Sequence, residues 1–146
     1  MIEAINEDNL VEVLPLIRKY QEFYDVKNID DDKNKEFFSQ FGVSSSKGCL
    51  FGYRRDEKLV AFATVYFSYA SSIVSKVAVM NDLYTSDEYR KQGIATELIK
   101  YCEKYARDSG AVRLQWLTAT GNKVAQLVYK NLGAKQSSWE FFTYAI

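Results

Sequence analysis

The stretch Asp82-Leu83-Tyr84-Thr85-Ser86-Asp87-Glu88-Tyr89-Arg90-Lys91-Gln92-Gly93-Ile94-Ala95-Thr96 decides how this chain is read. It opens with the end of a run rich in β-formers, Lys76 to Thr85, and passes through a polar segment to Gly93. From Ile94 the apolar positions Leu98, Cys102, Tyr105 and Ala106 recur at helical spacing, predicting an amphipathic helix that stops at Ser109-Gly110. A strand, a turn and a glycine therefore deliver a helix N-terminus, whose unpaired N–H groups and partial positive charge bind phosphate. Gly93 and Ala95 are small enough for a pyrophosphate to approach the backbone, Arg90 and Lys91 add charge, and Thr96 adds a hydroxyl. The turn is neither a Walker loop nor a complete dinucleotide-binding glycine fingerprint. Taken alone, it reads equally well as a solvated basic turn capping a helix.

Upstream, Met1 to Ile5 alternates weakly, as a short edge strand does. Leu10, Val13, Leu14, Ile17 and Tyr20 then follow helical spacing from Asn6 or Asp8, with Pro15 predicting a kink or break. A second helix is expected from about Asp31 to Phe41, with Phe37, Phe38 and Phe41 on its apolar side. After the Ser-rich loop Gly42 to Gly48, the runs Cys49 to Arg54 and Leu59 to Tyr69 flank the turn Arg55-Asp56-Glu57-Lys58 and read as an antiparallel hairpin. Downstream, Val112 to Thr118 reads as a strand, Asn122 to Leu132 as a helix stopped by Gly133, and Trp139 to Tyr144 as a closing strand.

The 146 residues, 47% of them hydrophobic, suit one globular domain over 1–146, and 19 basic against 19 acidic residues leave no single-signed field to attract nucleic acid or an anionic membrane. Met1 to Asn6 lacks the basic start and apolar core of a signal peptide, and no apolar run approaches bilayer length, so the expectation is a cytoplasmic protein. Cys49 and Cys102 read as buried free thiols. The absence of histidine removes Ser-His-Asp and Cys-His catalysis and most transition-metal sites, leaving proton transfer to carboxylate, Tyr, Lys, Cys or water.

Arg90-Lys91-Gln92-Gly93-Ile94-Ala95 closely resembles the acetyl-coenzyme A signature of the GNAT N-acetyltransferase superfamily, Gln/Arg-x-x-Gly-x-Gly/Ala, set between a strand and a helix as in that family. Downstream, Asn122-Lys123-Val124-Ala125-Gln126-Leu127-Val128-Tyr129-Lys130-Asn131-Leu132-Gly133-Ala134 is similar to the family's Asn-x-x-Ala-x-x-Leu/Phe-Tyr-x-x-x-Gly-Phe/Ala segment. Ala95, Val128 and Ala134 depart from the commoner residues without removing a donor or an acid. Tyr20-x-x-Phe23-Tyr24 and Trp116-Leu117-Thr118 resemble the histone and polyamine acetyltransferase branch.

The resemblance implies an α/β (α+β) fold: a mixed, mostly antiparallel, twisted sheet of six or seven strands, splayed in the middle and flanked by about four helices. It implies acetyl-CoA as cofactor, no metal, and transfer of acetyl to a primary amine by direct attack in a ternary complex. Leu83 and Thr85, flanking Tyr84, would pair by their backbones with the pantetheine amides, a small-molecule form of strand addition. Arg90, Lys91, Gln92, Gly93, Ile94, Ala95 and Thr96 would hold the pyrophosphate, while Asn122 and Ala125 would meet the pantetheine arm. Tyr129 falls where the family places the acid that protonates the leaving thiolate; the alternative is that it only packs its helix on the sheet.

An amine of pKa near 10 must lose a proton before it attacks, and Asp82, interrupting the apolar strand Val77 to Leu83, is the first candidate base. Burial there would raise its pKa; a structural role for Asp82 and a water chain as base stay open. Asn81 points to the other face if the strand is regular, toward the acceptor cleft. Tyr20, Phe23, Tyr24 and Trp116 form an aromatic wall beside an amine or, at helical spacing, ordinary core. The acceptor stays open among polyamine, other small amine and protein lysine, and the family's habit of dimerising makes a homodimer an expectation. The rival readings are a catalytically silent acetyl-CoA-binding module and a nucleotide-binding protein using the Gly93 turn.

Overall fold

The polar turn between the two hairpin runs closes tightly because Asp56 and Glu57 both adopt left-handed conformations (φ 49° and 64°), whose twist matches that of the flanking strands. The computed structural model describes residues 1–146. Its elements are β1 (Ile2–Ala4), α1 (Leu10–Phe23), α2 (Asp31–Phe38), β2 (Gly48–Arg55), β3 (Lys58–Ala70), β4 (Ser75–Thr85), α3 (Ile94–Asp108), β5 (Leu114–Gln115) and α4 (Lys123–Asn131). The five strands form one sheet in sequence order, antiparallel except for the parallel β4/β5 pair. No helix is long and apolar enough to cross a membrane.

Period-two alternation sends the strands' side chains to two separate cores. Cys49, Phe51 and Tyr53 face α3, with Ala61, Ala63 and Val65 of β3 beside them, while Leu50 and Phe62 face α1 and α2. The small Ala61, Ala63 and Ala78 leave room for the Leu98 and Cys102 stripe of α3, both fully buried. On the opposite face Leu10, Val13, Leu16 and Ile17 of α1 pack with Phe38 of α2. Cys49 and Cys102 are buried free thiols, pushed by burial up to about 11 and about 12, too high for a ready thiolate.

Several sequence expectations need correction. The sheet has five strands, not six or seven. The run Val112 to Thr118 is a strand only at Leu114–Gln115, and β4 pairs with it only through Ala78↔Leu114 and Val79↔Gln115 before the two diverge. Trp139 to Tyr144 forms no strand; from Ala134 onward the chain has no regular secondary structure. Pro15 neither breaks nor divides α1, because Val11, whose carbonyl loses its partner there, is on the exposed side and open to water. The second helix ends at Phe38, and Phe41 follows it to pack on Tyr66 with ring centroids 4.8 Å apart.

Candidate functional site

At the end of β4 the chain enters a 3₁₀ turn, Asp87–Tyr89, and reaches α3 through two left-handed residues, Lys91 (φ 61°) and Gly93 (φ 82°). No side chain caps α3, and no backbone N–H from Lys91 through Thr96 finds an acceptor in the chain. These unpaired donors lie at the positive end of a 15-residue helix, Ile94–Asp108, an arrangement whose chemistry suits an anion. A Cβ on Gly93 would meet no atom within 4 Å, so open space, not packing, surrounds the glycine. Side chains brace the turn: Arg90 Nε donates to the Thr85 carbonyl (3.0 Å), its Nη2 pairs with Asp87 (2.9 Å), and Gln92 Nε2 donates to the Glu88 carbonyl (3.2 Å). Arg55 reaches across from the β2–β3 hairpin to Gln92.

The second feature is an open strand edge. Ser86 N–H donates to the Val60 carbonyl (2.9 Å), so Phe62↔Tyr84 and Thr64↔Asp82, spaced by two, are the pairs that bond across β3 and β4. The backbone groups of Leu83 and Thr85 therefore point away from β3, to the side that β5 leaves after Val79. The open edge thus leads directly into the turn of unpaired N–H groups. Coenzyme A, a pyrophosphate joined to an extended diamide arm, fits this pairing of anion cradle and strand edge.

Asp82 lies on the α1 face, and a bulge puts it there. The register steps from Val65↔Met80 to Thr64↔Asp82, making Asn81 an extra residue. Ala78 and Met80 face α3, whereas Asp82 and Tyr84 face α1. Asn81 consequently does not simply point to the opposite face of a regular strand: its Nδ2 donates to Asp82 Oδ1 (3.1 Å). Asp82 is only 6% exposed, and burial raises its pKa against the opposing pull of Thr64, Tyr20, Asn81 and Tyr66. Burial foremost, and then the charge of Asp82, raises the pKa of both Tyr20 and Tyr66. Thr64 and Tyr66, absent from the residues singled out in the sequence, lie beside the Asp82 carboxylate. The signal was present, since Thr64 is the polar residue inside the apolar run Val60 to Val65.

Tyr129 stands on α4 with its ring edge-on to Trp116, centroids 5.2 Å apart, and burial, followed by nearby Tyr24, raises its pKa. Its hydroxyl keeps its proton at neutral pH. Asn122 accepts the Ala125 N–H at its Oδ1 (3.4 Å) as the N-cap of α4, leaving its amide NH₂ free. The expected aromatic wall divides. Tyr20 packs on Tyr24 (5.0 Å), Phe62 (5.7 Å) and Tyr84 (6.3 Å), and Tyr24 lies near Tyr129, which packs on Trp116. Phe23 instead faces the Arg90 guanidinium (5.9 Å) across a cleft of about 450 Å³ that also contains Glu22 and Asp87.

Residues 13–134 match the model of the acetyltransferase (GNAT) family. The chain belongs to the GNAT acetyltransferase family. It is an acetyl-CoA-dependent N-acetyltransferase. Its relatives include the thialysine N-epsilon-acetyltransferase of Bos taurus, 28% identical over 99% of this chain and 91% of that protein. An uncharacterised N-acetyltransferase of Bacillus subtilis is 22% identical over 86% of this chain and 83% of its own. Among solved structures, that of a probable acetyltransferase superposes with TM-score 0.86 at 28% identity, over 100% of this chain and 97% of that one. The GNAT fold is also shared with AAC(6')-Iy in complex with the bisubstrate analogue CoA-S-monomethyl-acetylneamine, at TM-score 0.83 and 18% identity, covering 100% of this chain and 97% of that one.

Proposed function

We propose that this N-acetyltransferase acetylates a small primary amine by direct attack within a ternary complex, with Asp82 receiving the amine and Tyr129 serving the sulfur. The observation that carries the cofactor half is the run of unpaired N–H groups from Lys91 to Thr96, continuous with the free edge at Leu83 and Thr85. When bound there, acetyl-CoA supplies an acetyl thioester. Arg90 and Lys91 add positive charge beside the pyrophosphate, Gly93, Ile94, Ala95 and Thr96 offer backbone donors, and Gln92 holds the turn. Leu83 and Thr85, on either side of Tyr84, bond the pantetheine amides. Asn122 directs its free amide NH₂ to the same arm, beside Ala125.

An amine of pKa near 10 arrives as ammonium. The buried Asp82 carboxylate, ringed by the hydroxyls of Thr64, Tyr20 and Tyr66, attracts that charge, and its raised pKa makes it a better proton acceptor than an ordinary carboxylate. Asn81 orients the carboxylate through its hydrogen bond. Tyr24 and Trp116 flank the path to Tyr129, whose raised pKa keeps a proton available for the departing sulfur. Most of the acceleration comes from holding amine and thioester together.

The relative named for thialysine, aligned over nearly the whole chain, supports a lysine-like side-chain amine as the first acceptor to test, ahead of polyamines and protein lysines. We further read residues 1–146 as one domain acting in the cytoplasm. Thermal unfolding with acetyl-CoA, ATP and NAD tests the core of the proposal: stabilisation by acetyl-CoA alone is expected. Absence of that shift, or a shift with ATP alone, would overturn it.

A further inference from the structure

Helix α1 runs past its own core. Its buried residues, Leu10, Val13, Leu16 and Ile17, stop at Ile17, yet the turn beyond carries Tyr20, whose hydroxyl bears on the Asp82 carboxylate, and leads to Tyr24 near Tyr129. Two ring contacts, to Phe62 and Tyr84, lay Tyr20 on the sheet. Apolar packing of this kind is non-directional and does not fix where along the sheet the hydroxyl stands. A directional tether follows one residue later. Gln21 Nε2 donates to Asn34 Oδ1 (2.8 Å), and Asn34 Nδ2 donates back to Gln21 Oε1 (2.8 Å).

Asn34 stands where an apolar residue is expected. Helix α2 buries only Asn34 and Phe38, four apart and so on one face, and Phe38 enters the core with α1. An amide left there without partners would be destabilising, since Asn34 is 7% exposed. The reciprocal pair supplies a donor and an acceptor to each amide, and it does so at one register of the two helices. Buried polar pairs of this kind specify register more than they add stability. Arg18 and Asp31 also join α1 to α2, but their side chains are 39% and 57% exposed, where solvent and salt leave an ion pair weak. Directional control of the last turn of α1 therefore falls to the two amides.

We propose that Gln21 and Asn34 are positioning residues for acetyl transfer, their paired amides fixing the last turn of α1 so that Tyr20 stays at Asp82 and Tyr24 near Tyr129. Neither amide touches the reacting atoms. The proposal rests on the functional reading above, in which Asp82 receives the amine. The polar groups bearing on Asp82 are Tyr20 from α1, Thr64 and Tyr66 from β3 and Asn81 within β4; none is charged, and each pulls its pKa down. Releasing the Tyr20 hydroxyl moves the carboxylate upward, and with it the acidic limb of kcat/KM, by about 0.4–1 pH unit for one lost hydrogen bond.

Two variants separate positioning from stability. Gln21→Leu/Asn34→Leu replaces both amides by apolar groups of similar shape and should keep a Tm near that of the wild type, whereas Gln21→Ala strands the buried Asn34 amide and should lower it. Both should lose about ten- to a hundredfold in kcat, retain acetyl-CoA affinity and show the displaced acidic limb. The exchange Gln21→Asn/Asn34→Gln conserves the number of atoms between the helices and should restore rate and limb together. A catalytic loss confined to the less stable Gln21→Ala, or a wild-type limb in either folded variant, would overturn the positioning; if the double leucine variant does not fold, the limb of Gln21→Ala decides alone. Asp82→Asn keeps the two failures distinct. A limb that persists there overturns the functional reading and the positioning with it, whereas a limb lost there yet unmoved in the pair variants overturns the positioning alone.

Discussion

Gly93 and Gly110 stand at opposite ends of α3, both left-handed (φ 82° and 84°), and at neither would a Cβ meet an atom within 4 Å. Placing an L side chain in that conformation costs about 1–2 kcal/mol. For a chain of this length that lowers Tm by about 3–7 °C, so Gly93→Ala and Gly110→Ala should be similarly destabilised. Aspartate separates the two positions. At 93 its charge meets the positive end of the helix and gains about 0.3–1 kcal/mol; at 110 it meets the negative end and loses a similar amount. Without ligand, Gly110→Asp should therefore be the less stable variant by about 0.6–2 kcal/mol. Acetyl-CoA reverses the comparison. At a hundredfold excess over Kd a ligand contributes about 2.7 kcal/mol, roughly 10 °C in Tm, and Gly110→Asp should keep this gain. Gly93→Asp should lose it, since the new carboxylate occupies the open space at the unpaired N–H groups and repels the pyrophosphate. Scanning fluorimetry with and without acetyl-CoA reads all four variants. If Gly93→Asp retained more than half of the wild-type shift, the phosphate-turn reasoning would be refuted.

Tyr129→Phe should lower single-turnover acetyl transfer by about ten- to a thousandfold with acetyl-CoA affinity nearly unchanged; an unchanged chemical step would remove Tyr129 from that role. Asp82→Asn should lower turnover at least tenfold, and it should also stabilise the protein at neutral pH. The sign follows from the raised pKa: the native state holds this proton beyond the ordinary value of 3.8, so its contribution is complete below 3.8 and is lost as pH rises through the folded value. Urea unfolding across pH should show that loss in the wild type and not in Asp82→Asn, and parallel profiles would contradict the assignment. Leu98→Ala, in the fully buried stripe of α3, should cost about 2–5 kcal/mol, measurable by the same titration, and a cost below 1 kcal/mol would mean that the α3 core is loosely packed.

The hairpin, β4 and α3 were legible because their signals are local. Alternation, a polar turn at Arg55 to Lys58, and an apolar stripe ending at Ser109-Gly110 need no knowledge of tertiary pairing. The strand, turn and helix junction at Gly93 was legible for the same reason, since it is built from consecutive residues. What failed depends on partners distant in sequence. The short length of β5 reflects its divergence from β4, and Trp139 to Tyr144 has the composition of a strand but no strand beside it in the single chain. The bulge at Asn81 is likewise invisible along β4, because an extra residue exists only relative to the register of β3. Thr64, paired with Asp82, and Tyr66, two residues on along the same face, come to the carboxylate through that register, and the regular alternation would have misassigned its face.

That single inserted residue links the two halves of the site. The last pair between β4 and β5 is at Val79, and the bulge falls at Asn81, two residues later. A bulge sharpens local twist and bends its strand, so β4 turns away from β5 and leaves free the backbone edge that the proposed function gives to the ligand. The same insertion reverses the alternation, turning Asp82 toward Tyr20 and α1, whereas a regular strand would have buried it with Ala78 and Met80 against α3. Strand opening and carboxylate placement thus have one cause. Deleting Asn81 would be expected to close the edge at Leu83 and carry Asp82 to the apolar face together, because neither can change without the other.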